Sequence, residues 1–424
     1  MGQAFRFIHC GDLHLGAPFK YLKSLGKFGD GAISQATYKA FEKVVDMVLE
    51  ERVDALLISG DVYNGADHNL EAQVRFVRQL ERTAEKGIPV FIVHGNHDPL
   101  ALWSAKVPLP KNVHVFGANR VERVPLLVRG REVAAIYGIS HDHNGIYDNL
   151  SRSFKAQKED VYSIGLLHAS VAGQGGHGAY APCTLDDLKE AGMDYWALGH
   201  IHQRQILHQL PFIVYPGNTQ GLSKKELGAK GCYLVRISNA GHTDLMFRET
   251  CFIRFENVEI DISALSSVQD MEEMIRHKKK ILSTKHKQSI LMNIKLVGAG
   301  PLSPLCKDEE TRDLWLRSVQ EEEKGKFNFV LPIDMEDDTT LPIDLKERRH
   351  LPDVLGDYLA AYDEMAKWET DIRIQELRDC IENRPEKKRL GTYKELLTDE
   401  MLERAFKRAE IEGAMRLLGD IHEH

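Results

Sequence analysis

An apolar strand that runs into a cluster of polar side chains is the feature that most constrains this chain. Residues 90–93 (V-F-I-V) are followed, after one residue, by residues 95–98 (G-N-H-D). Glycine has no Cβ and lets the chain turn sharply, and the three residues after it can bind a metal ion or exchange a proton. Open α/β sheets present their sites in this way, at the carboxyl ends of buried strands.

The same pattern occurs at four other places along the chain. Apolar runs end there in polar residues that metal ions bind, and these are Asp12 and His14, Asp61, His168, and His200 and His202. A lone histidine is more often a satisfied core residue, and a lone D-x-H is more often a turn. So many polar groups at strand ends would be costly to bury without partners. We therefore interpret them, with Asn96 and His97, as residues gathered around two divalent ions.

The spacing of apolar residues predicts a layered α/β domain over residues 1–250. A helix stripe over residues 41–49 and a second helix over residues 70–85 alternate with the first three strands, which is a β-α-β-α-β order. The shorter apolar runs at 113–116, 124–128 and 133–139 predict antiparallel strands. The glycine-rich stretch 172–178 lacks a phosphate-binding fingerprint, and we interpret it as a mobile loop over the site.

The pattern changes near residue 251. The pattern over residues 251–340 predicts a small α+β domain, with helices over 268–282 and 307–319 and strands over 290–297 and 327–332. We interpret the acidic residues 334–338 as a turn that ends this domain. The pattern over residues 341–424 predicts a helical tail. Apolar stripes in the tail, such as Leu402 and Phe406, suit either a partner helix or ordinary core packing.

Composition narrows the class of protein and the compartment. The chain has 424 residues and a net charge of -8, so any contact with nucleic acid must rest on local clusters of basic residues. The 6 cysteines are scattered, which is typical of a reducing cytosol. Neither a secretory signal nor an apolar run near the ~20 residues of a membrane helix is present. We therefore expect a cytoplasmic protein that does not contact the membrane.

The five motifs, in this order, resemble those of the calcineurin-like metallophosphoesterase family. The resemblance covers about residues 5–237 and implies an α/β/β/α sandwich with two metal ions. It implies that Asp61 bridges the ions, and the full ligand sets would be Asp12, His14, Asp61 and His202 for one ion, and Asp61, Asn96, His168 and His200 for the other. Mn²⁺ is the expected metal, although such nitrogen and oxygen ligands also suit Fe²⁺, Zn²⁺ or Mg²⁺.

Two ions about 3.5–4 Å apart can clamp the attacking and leaving oxygens of a displacement at phosphorus, with a bridging hydroxide as the nucleophile. His97 lies beside a ligand but is not needed as one. We interpret it as the general acid that protonates the leaving alkoxide. Asp98 either orients His97 or caps the next helix, and the sequence favours neither.

Within the family, residues 7–16, 199–207 and 215–221 resemble SbcD-type DNA repair exonuclease subunits, and most closely YhaO-type proteins of Gram-positive bacteria. This resemblance implies DNA as substrate, a capping domain that guides it, an SMC-like coiled-coil ATPase as partner, and a homodimer. One position departs from the pattern. Asn64 stands where many such nucleases have His or Asp, and it can donate a hydrogen bond to phosphate but cannot supply a proton.

Three functions are compatible with these residues. The first is a two-metal phosphodiesterase, a DNA exonuclease of a repair complex. The second is a phosphatase or a phosphodiesterase of nucleotides or other small molecules on the same fold. The third is a metal-stabilised, non-catalytic partner of the ATPase. The basic runs 278–280 and 348–349 could contact DNA phosphates, but a solvated helix face explains the lysines equally well.

Overall fold

The computed structural model describes residues 3–19, 30–64, 70–102, 107–143, 147–171, 180–341, 344–382 and 398–422. The glycine-rich loop predicted at 172–178 lies outside the described residues. The chain forms two compact units: the first comprises Met1–Glu256, Ser283–Leu291 and Lys324–Leu331, and the second comprises Asn257–Leu282, Met292–Glu323 and Pro332–His424. The three-part division at residues 250 and 340 stays a prediction.

Strands and helices alternate in the first half of the chain, and helices dominate the end. The strands are β1 (Phe5–Cys10), β2 (Ala55–Ser59), β3 (Val90–Val93), β4 (Val113–Val115), β5 (Glu122–Val128), β6 (Arg131–Gly138), β7 (Ser163–His168), β8 (Tyr195–Gly199), β9 (Gln205–Gln209), β10 (Phe212–Tyr215), β11 (Gly231–Ile237), β12 (Thr243–Glu249), β13 (Ile253–Asp261), β14 (Ser289–Gly298) and β15 (Val330–Thr339). The α-helices are α1 (Asp30–Ser34), α2 (Ala36–Glu50), α3 (Leu70–Ala84), α4 (Leu185–Glu190), α5 (Val268–Lys285), α6 (Ser303–Lys307), α7 (Glu309–Glu321), α8 (Leu345–Arg348), α9 (Val354–Ala366), α10 (Thr370–Glu382) and α11 (Asp399–His422). Within the described ranges, none of these helices is long and apolar enough to span a membrane.

Two mixed six-stranded sheets form the first unit. The first sheet has the order β12-β11-β1-β2-β3-β4, and the second has the order β5-β6-β7-β8-β10-β9. Strands β1 to β4 run parallel to one another, as do β6, β7, β8 and β10. Strand β11 is antiparallel to both β1 and β12, β5 is antiparallel to β6, and β9 is antiparallel to β10. The central strands are buried along their whole length, which is why they appear in the sequence as continuous apolar runs.

The main core lies between the two sheets. Phe7 of β1 and Leu57 of β2 pack there with Leu166 of β7 and Tyr195 of β8, and the rings of Phe7 and Tyr195 meet edge to face at 5.3 Å. Neighbouring residues on each strand point the other way, so Ile8 lies in a separate cluster. The two sheets are therefore held face to face, with their parallel strands ending at a common edge.

Helices cover the outer face of each sheet. The predicted stripe of α2 packs with α3 against the first sheet, and the cluster includes Phe41, Val45 and Phe76. Helix α4 packs against the second sheet, where Leu188 lies near the buried Trp196. The predicted N-cap of α4 is confirmed, because Thr184 accepts a hydrogen bond from the backbone of Asp187 within a capping box.

Of the sequence predictions about strands, one was wrong and one was confirmed only in part, and one strand was missed. The run at 113–116 is not antiparallel, because β4 pairs in parallel with β3; residues 94–112 are long enough to supply the crossover that a parallel pair needs. Strand β6 is antiparallel to β5 but parallel to β7. Strand β12 was not predicted, since it is a half-buried edge strand with a weak apolar pattern.

The C-terminal part of the chain contains a third sheet, in the order β13-β14-β15. The predicted acidic turn at 334–338 is instead part of β15, where Lys295 of β14 lies 2.6 Å from the Asp338 carboxylate. The helix predicted at 307–319 is broken at Asp308, whose side chain accepts a hydrogen bond from the Thr311 amide and caps α7. Cross-strand and capping contacts of this kind are not visible in the local apolar pattern.

Some residues that the sequence analysis offered for contacts with DNA or a partner are buried inside the second unit. The Lys279 side chain is buried, with its ammonium 2.6 Å from the Glu323 carboxylate, so it does not form part of a solvated basic face. In the tail, Leu402 and Phe406 are buried, and Phe406 stacks on Tyr362 at 4.6 Å. These tail residues therefore belong to the chain's own packing.

Candidate metal centre

The two sheets bring the predicted polar residues to one place. Strands β1, β2 and β3 of the first sheet and β7 and β8 of the second end there, and each end carries one or more of these residues. The described residues that could hold an ion form two overlapping groups, in which the ligand atoms all lie within 4.8 Å of one another: Asp12, His14 and His202, and Asp12, Asp61 and His168. We call these the first and the second cluster.

The first cluster is built around two imidazoles that face each other. Nε2 of His14 lies 3.0 Å from Nε2 of His202. Metal–nitrogen bonds of about 2.0–2.1 Å place two nitrogens of one ion roughly 3 Å apart, so this spacing suits shared coordination. The Asp12 carboxylate completes the group and also accepts hydrogen bonds from the His200 amide at 3.1 and 3.2 Å.

The second cluster contains Asp61 and shares Asp12 with the first. Asp61 Oδ2 is 3.5 Å from His168 Nε2 and 3.8 Å from His14 Nε2, so this carboxylate lies within reach of an imidazole of each cluster. The Asn96 side-chain oxygen is 3.1 Å from His168 Nε2 and 3.1 Å from His200 Nδ1. All seven residues expected as ligands are thus brought together, while their division between two ions stays a prediction.

The electrostatics of the clusters suit cations. Burial raises the pKa of Asp12 to about 6 and raises the pKa of Asp61 well above its usual value. Burial also lowers the pKa of His168 well below 6.5, so its imidazole is neutral at physiological pH. Buried carboxylates beside neutral imidazoles are costly unless a positive charge compensates them. The donor set therefore fits divalent metal ions.

The backbone at several of these residues adopts an unusual conformation. Asp12, His14, Asp61 and His200 all have positive φ, at 49°, 43°, 49° and 103°. Such conformations are unfavourable for residues with a Cβ and cluster at functional sites. Gly95 is needed for a different reason, because a Cβ there would lie 2.2 Å from Asp61 Oδ1. The site thus depends on local strain and on one position without a side chain.

The residues predicted to act beside the ligands occupy distinct positions. His97 is exposed; its amide donates to Asp61 Oδ1 at 3.0 Å, and its ring lies edge to face with His14 at 5.1 Å. Asp98 is buried and accepts hydrogen bonds from the amides of Val62 and Gly95 at 2.8 and 3.0 Å, which ties the two strand ends together. Asn64 is exposed at the end of a described segment.

Sequence reasoning missed several polar residues of this region. His9, His94 and His141 are buried, and His141 donates to the His168 carbonyl at 2.7 Å. Burial lowers the pKa of His141 to about 4. His141 could have been found, since it follows the apolar strand β6 just as the ligands follow theirs. Glu226, whose carboxylate lies 2.6 Å from His202 Nδ1, gave no such signal.

Comparisons with known proteins agree with this geometry. The family model described as calcineurin-like phosphoesterase matches residues 5–204. The metallophosphoesterase YhaO of Bacillus subtilis is 34% identical over 334 residues, which are 78% of this chain and 81% of YhaO. Two proteins named DNA double-strand break repair protein Mre11 are more distant. That of Sulfurisphaera tokodaii is 25% identical over 79% of this chain and 86% of its own length, and that of Sulfolobus acidocaldarius is 24% identical over 90% and 96%.

Proposed function

This chain belongs to the calcineurin-like phosphoesterase family, and from that premise we propose that it is a two-metal phosphodiesterase that degrades DNA from its ends. The observation that carries this proposal is the pair of overlapping clusters, in which the Asp61 carboxylate faces both His14 and His168, with the exposed His97 beside them. The similarity to Mre11 proteins, whose name refers to double-strand break repair, supports DNA as the substrate.

Each ion would be held by four side chains, with Asp61 common to both sets: Asp12, His14, Asp61 and His202, and Asp61, Asn96, His168 and His200. When bound, two such ions, most simply Mn²⁺, would neutralise the charge that develops on the phosphoryl oxygens during displacement. All of these side chains except the half-buried His202 are buried, which excludes most water and strengthens their interaction with cations.

His97 is suited to donate the proton that the leaving oxygen needs. Its imidazole is exposed, so substrate can reach it, and its amide is tied to Asp61, so it stays at the edge of the clusters. An imidazole has a pKa near the working pH, as a general acid requires. Asp98 acts indirectly, by holding the turn at Gly95 against the end of β2.

The rest of the chain supplies substrate and partner contacts in this proposal. The Asn64 amide donates a hydrogen bond to a DNA phosphate, and residues 251–340 guide the strand. The helical tail binds an SMC-like coiled-coil ATPase, and two copies of the chain form a dimer in the cytoplasm. We expect these contacts to control which DNA end is used, whereas the clusters supply the hydrolysis itself.

The direct test compares DNA substrates that differ in their ends. Linear double-stranded, linear single-stranded and closed-circular DNA are incubated with the protein and Mn²⁺, with bis-p-nitrophenyl phosphate as a small diester. We expect hydrolysis of the linear forms, and His97→Ala should retain metal but lose at least about a hundredfold in turnover, as expected for a general acid.

Other outcomes of these assays would favour one of the two alternative functions or refute the role of His97. Faster turnover of nucleotides than of DNA would favour a small-molecule phosphodiesterase or phosphatase on the same fold. Thermal stabilisation by metal without diesterase activity, even with the ATPase present, would indicate a non-catalytic partner. Unchanged turnover in His97→Ala would refute the assigned role of His97.

A further inference from the structure

His202 is held from outside the first cluster by one short segment of the chain. Glu226 Oε1 lies 2.6 Å from His202 Nδ1, the ring nitrogen that points away from His14. From the same segment, Lys230 Nζ donates to the His202 carbonyl at 3.0 Å. Both the imidazole and the backbone of this candidate ligand are therefore fixed by residues that follow β10.

The Glu226 side chain is itself held in place. Its second carboxylate oxygen accepts a hydrogen bond from the Leu222 amide at 2.5 Å, and the side chain is only 16% exposed. One carboxylate oxygen of Glu226 therefore accepts from the Leu222 amide, while the other faces His202 Nδ1. Glu226 is thus a fixed, negatively charged acceptor.

The hydrogen bond decides which nitrogen of His202 can bind a metal ion. An imidazole that donates through Nδ1 keeps its lone pair on Nε2, and His202 Nε2 is the atom that faces His14 at 3.0 Å. A carboxylate behind the ring also makes the imidazole a stronger ligand. His168 of the second cluster differs, because its Nδ1 faces the neutral carbonyl of Ser59 at 2.9 Å.

We propose that Glu226 is a positioning residue for His202, which orients its imidazole and raises the affinity of the first cluster for a divalent cation. This inference rests on the proposed two-metal site. Removing the charge of Glu226 should weaken binding at the first cluster by about 10–100-fold. The second cluster should be spared, since His168 is oriented by a backbone carbonyl instead.

The test measures metal binding without substrate. Mn²⁺ is titrated calorimetrically into the metal-free wild type, into Glu226→Gln, which keeps the size of the side chain, and into Asp160→Asn. Asp160 serves as the control, because its carboxylate is also held within a polar network, with Arg123 and Tyr137, and its side chain is only 1% exposed. It precedes β7, at the opposite end of that strand from His168. Melting temperatures are recorded for all three proteins in the absence of metal.

The expected result is that one Mn²⁺ step of Glu226→Gln weakens about 10–100-fold while the other step, and both steps of Asp160→Asn, stay within twofold of the wild type. Unchanged binding in Glu226→Gln would overturn the inference. Equal weakening of every step, together with a lower melting temperature without metal, would also overturn it, because that outcome indicates a general structural role. Absence of DNA hydrolysis by a protein that binds Mn²⁺ normally would contradict only the proposed function.

Discussion

Gly95 lies at the tightest point of the candidate metal centre, and replacing it with alanine tests how closely the clusters must pack. A Cβ at this position would lie 2.2 Å from Asp61 Oδ1 and 2.8 Å from His168 Nε2. Ordinary contact for such a carbon begins at 3.4 Å, so the Asp61 oxygen would have to move by about 1.2 Å (3.4 − 2.2). The φ of Gly95 is not in the left-handed region, so the added methyl group alone causes the effect.

A shift of this size is large for a metal site, where ligand distances hold to within about 0.2 Å. Misplacement of reacting groups by about 1 Å can cost roughly a hundredfold in rate. We therefore expect Gly95→Ala to weaken Mn²⁺ binding at least about tenfold and to lower turnover of bis-p-nitrophenyl phosphate about a hundredfold at saturating Mn²⁺.

Calorimetric Mn²⁺ titration and steady-state kinetics measure the two effects, and thermal melts confirm that the variant folds. Gly31→Ala is the matched control. A Cβ at position 31 would have no neighbour within 4 Å, and this glycine also lacks a positive φ. Binding and turnover within twofold of the wild type in Gly95→Ala would refute the reasoning, since Asp61 could then move freely without consequence.

Two further predictions concern buried titratable side chains that are not expected ligands. Burial lowers the pKa of His9 from 6.5 to about 3, so between these values the unfolded chain binds more protons than the folded protein. His9 therefore makes stability fall as pH drops through this window, by about 1.4 kcal/mol per pH unit; urea melts of His9→Asn should show a correspondingly smaller slope, and equal slopes would contradict this. Lys279→Ala removes the ammonium beside the buried Glu323 and should lower the free energy of unfolding by about 3–5 kcal/mol. Lys280→Ala, at an exposed position, should stay within about 0.5 kcal/mol of the wild type, and equal urea midpoints for the two lysine variants would contradict the prediction.

Much of the candidate metal centre could be predicted because its signals are local. A parallel strand buried on both faces is a continuous apolar run, and the residue types that follow it are visible in the sequence. The carboxyl ends of parallel strands meet at one edge of a sheet. Asp12, Asp61 and His168 could therefore be expected to lie together, although they are far apart along the chain.

Pairings between distant residues could not be predicted in the same way. The acidic segment of β15 looked like a turn because its partner Lys295 lies on another strand. Lys279 looked solvated because its ion-pair partner, Glu323, belongs to a later part of the chain. In both cases a charged residue is acceptable in a regular or buried element only because of a counter-charge brought by the fold.

The sequence by itself determined the alternation of apolar runs and helix stripes, the residue types at the strand ends and hence the kind of chemistry, because these depend on side-chain periodicity and on neighbours along the chain. Only the tertiary structure decided which atoms face each other. The approach of His14 Nε2 to His202 Nε2 and the position of Asp61 between His14 and His168 depend on how two sheets pack face to face. The contact of Glu226 with His202 depends on how the segment after β10 returns to the site. These contacts bring within a few ångströms residues as far apart along the chain as His14 and His202, and no local pattern carries this information.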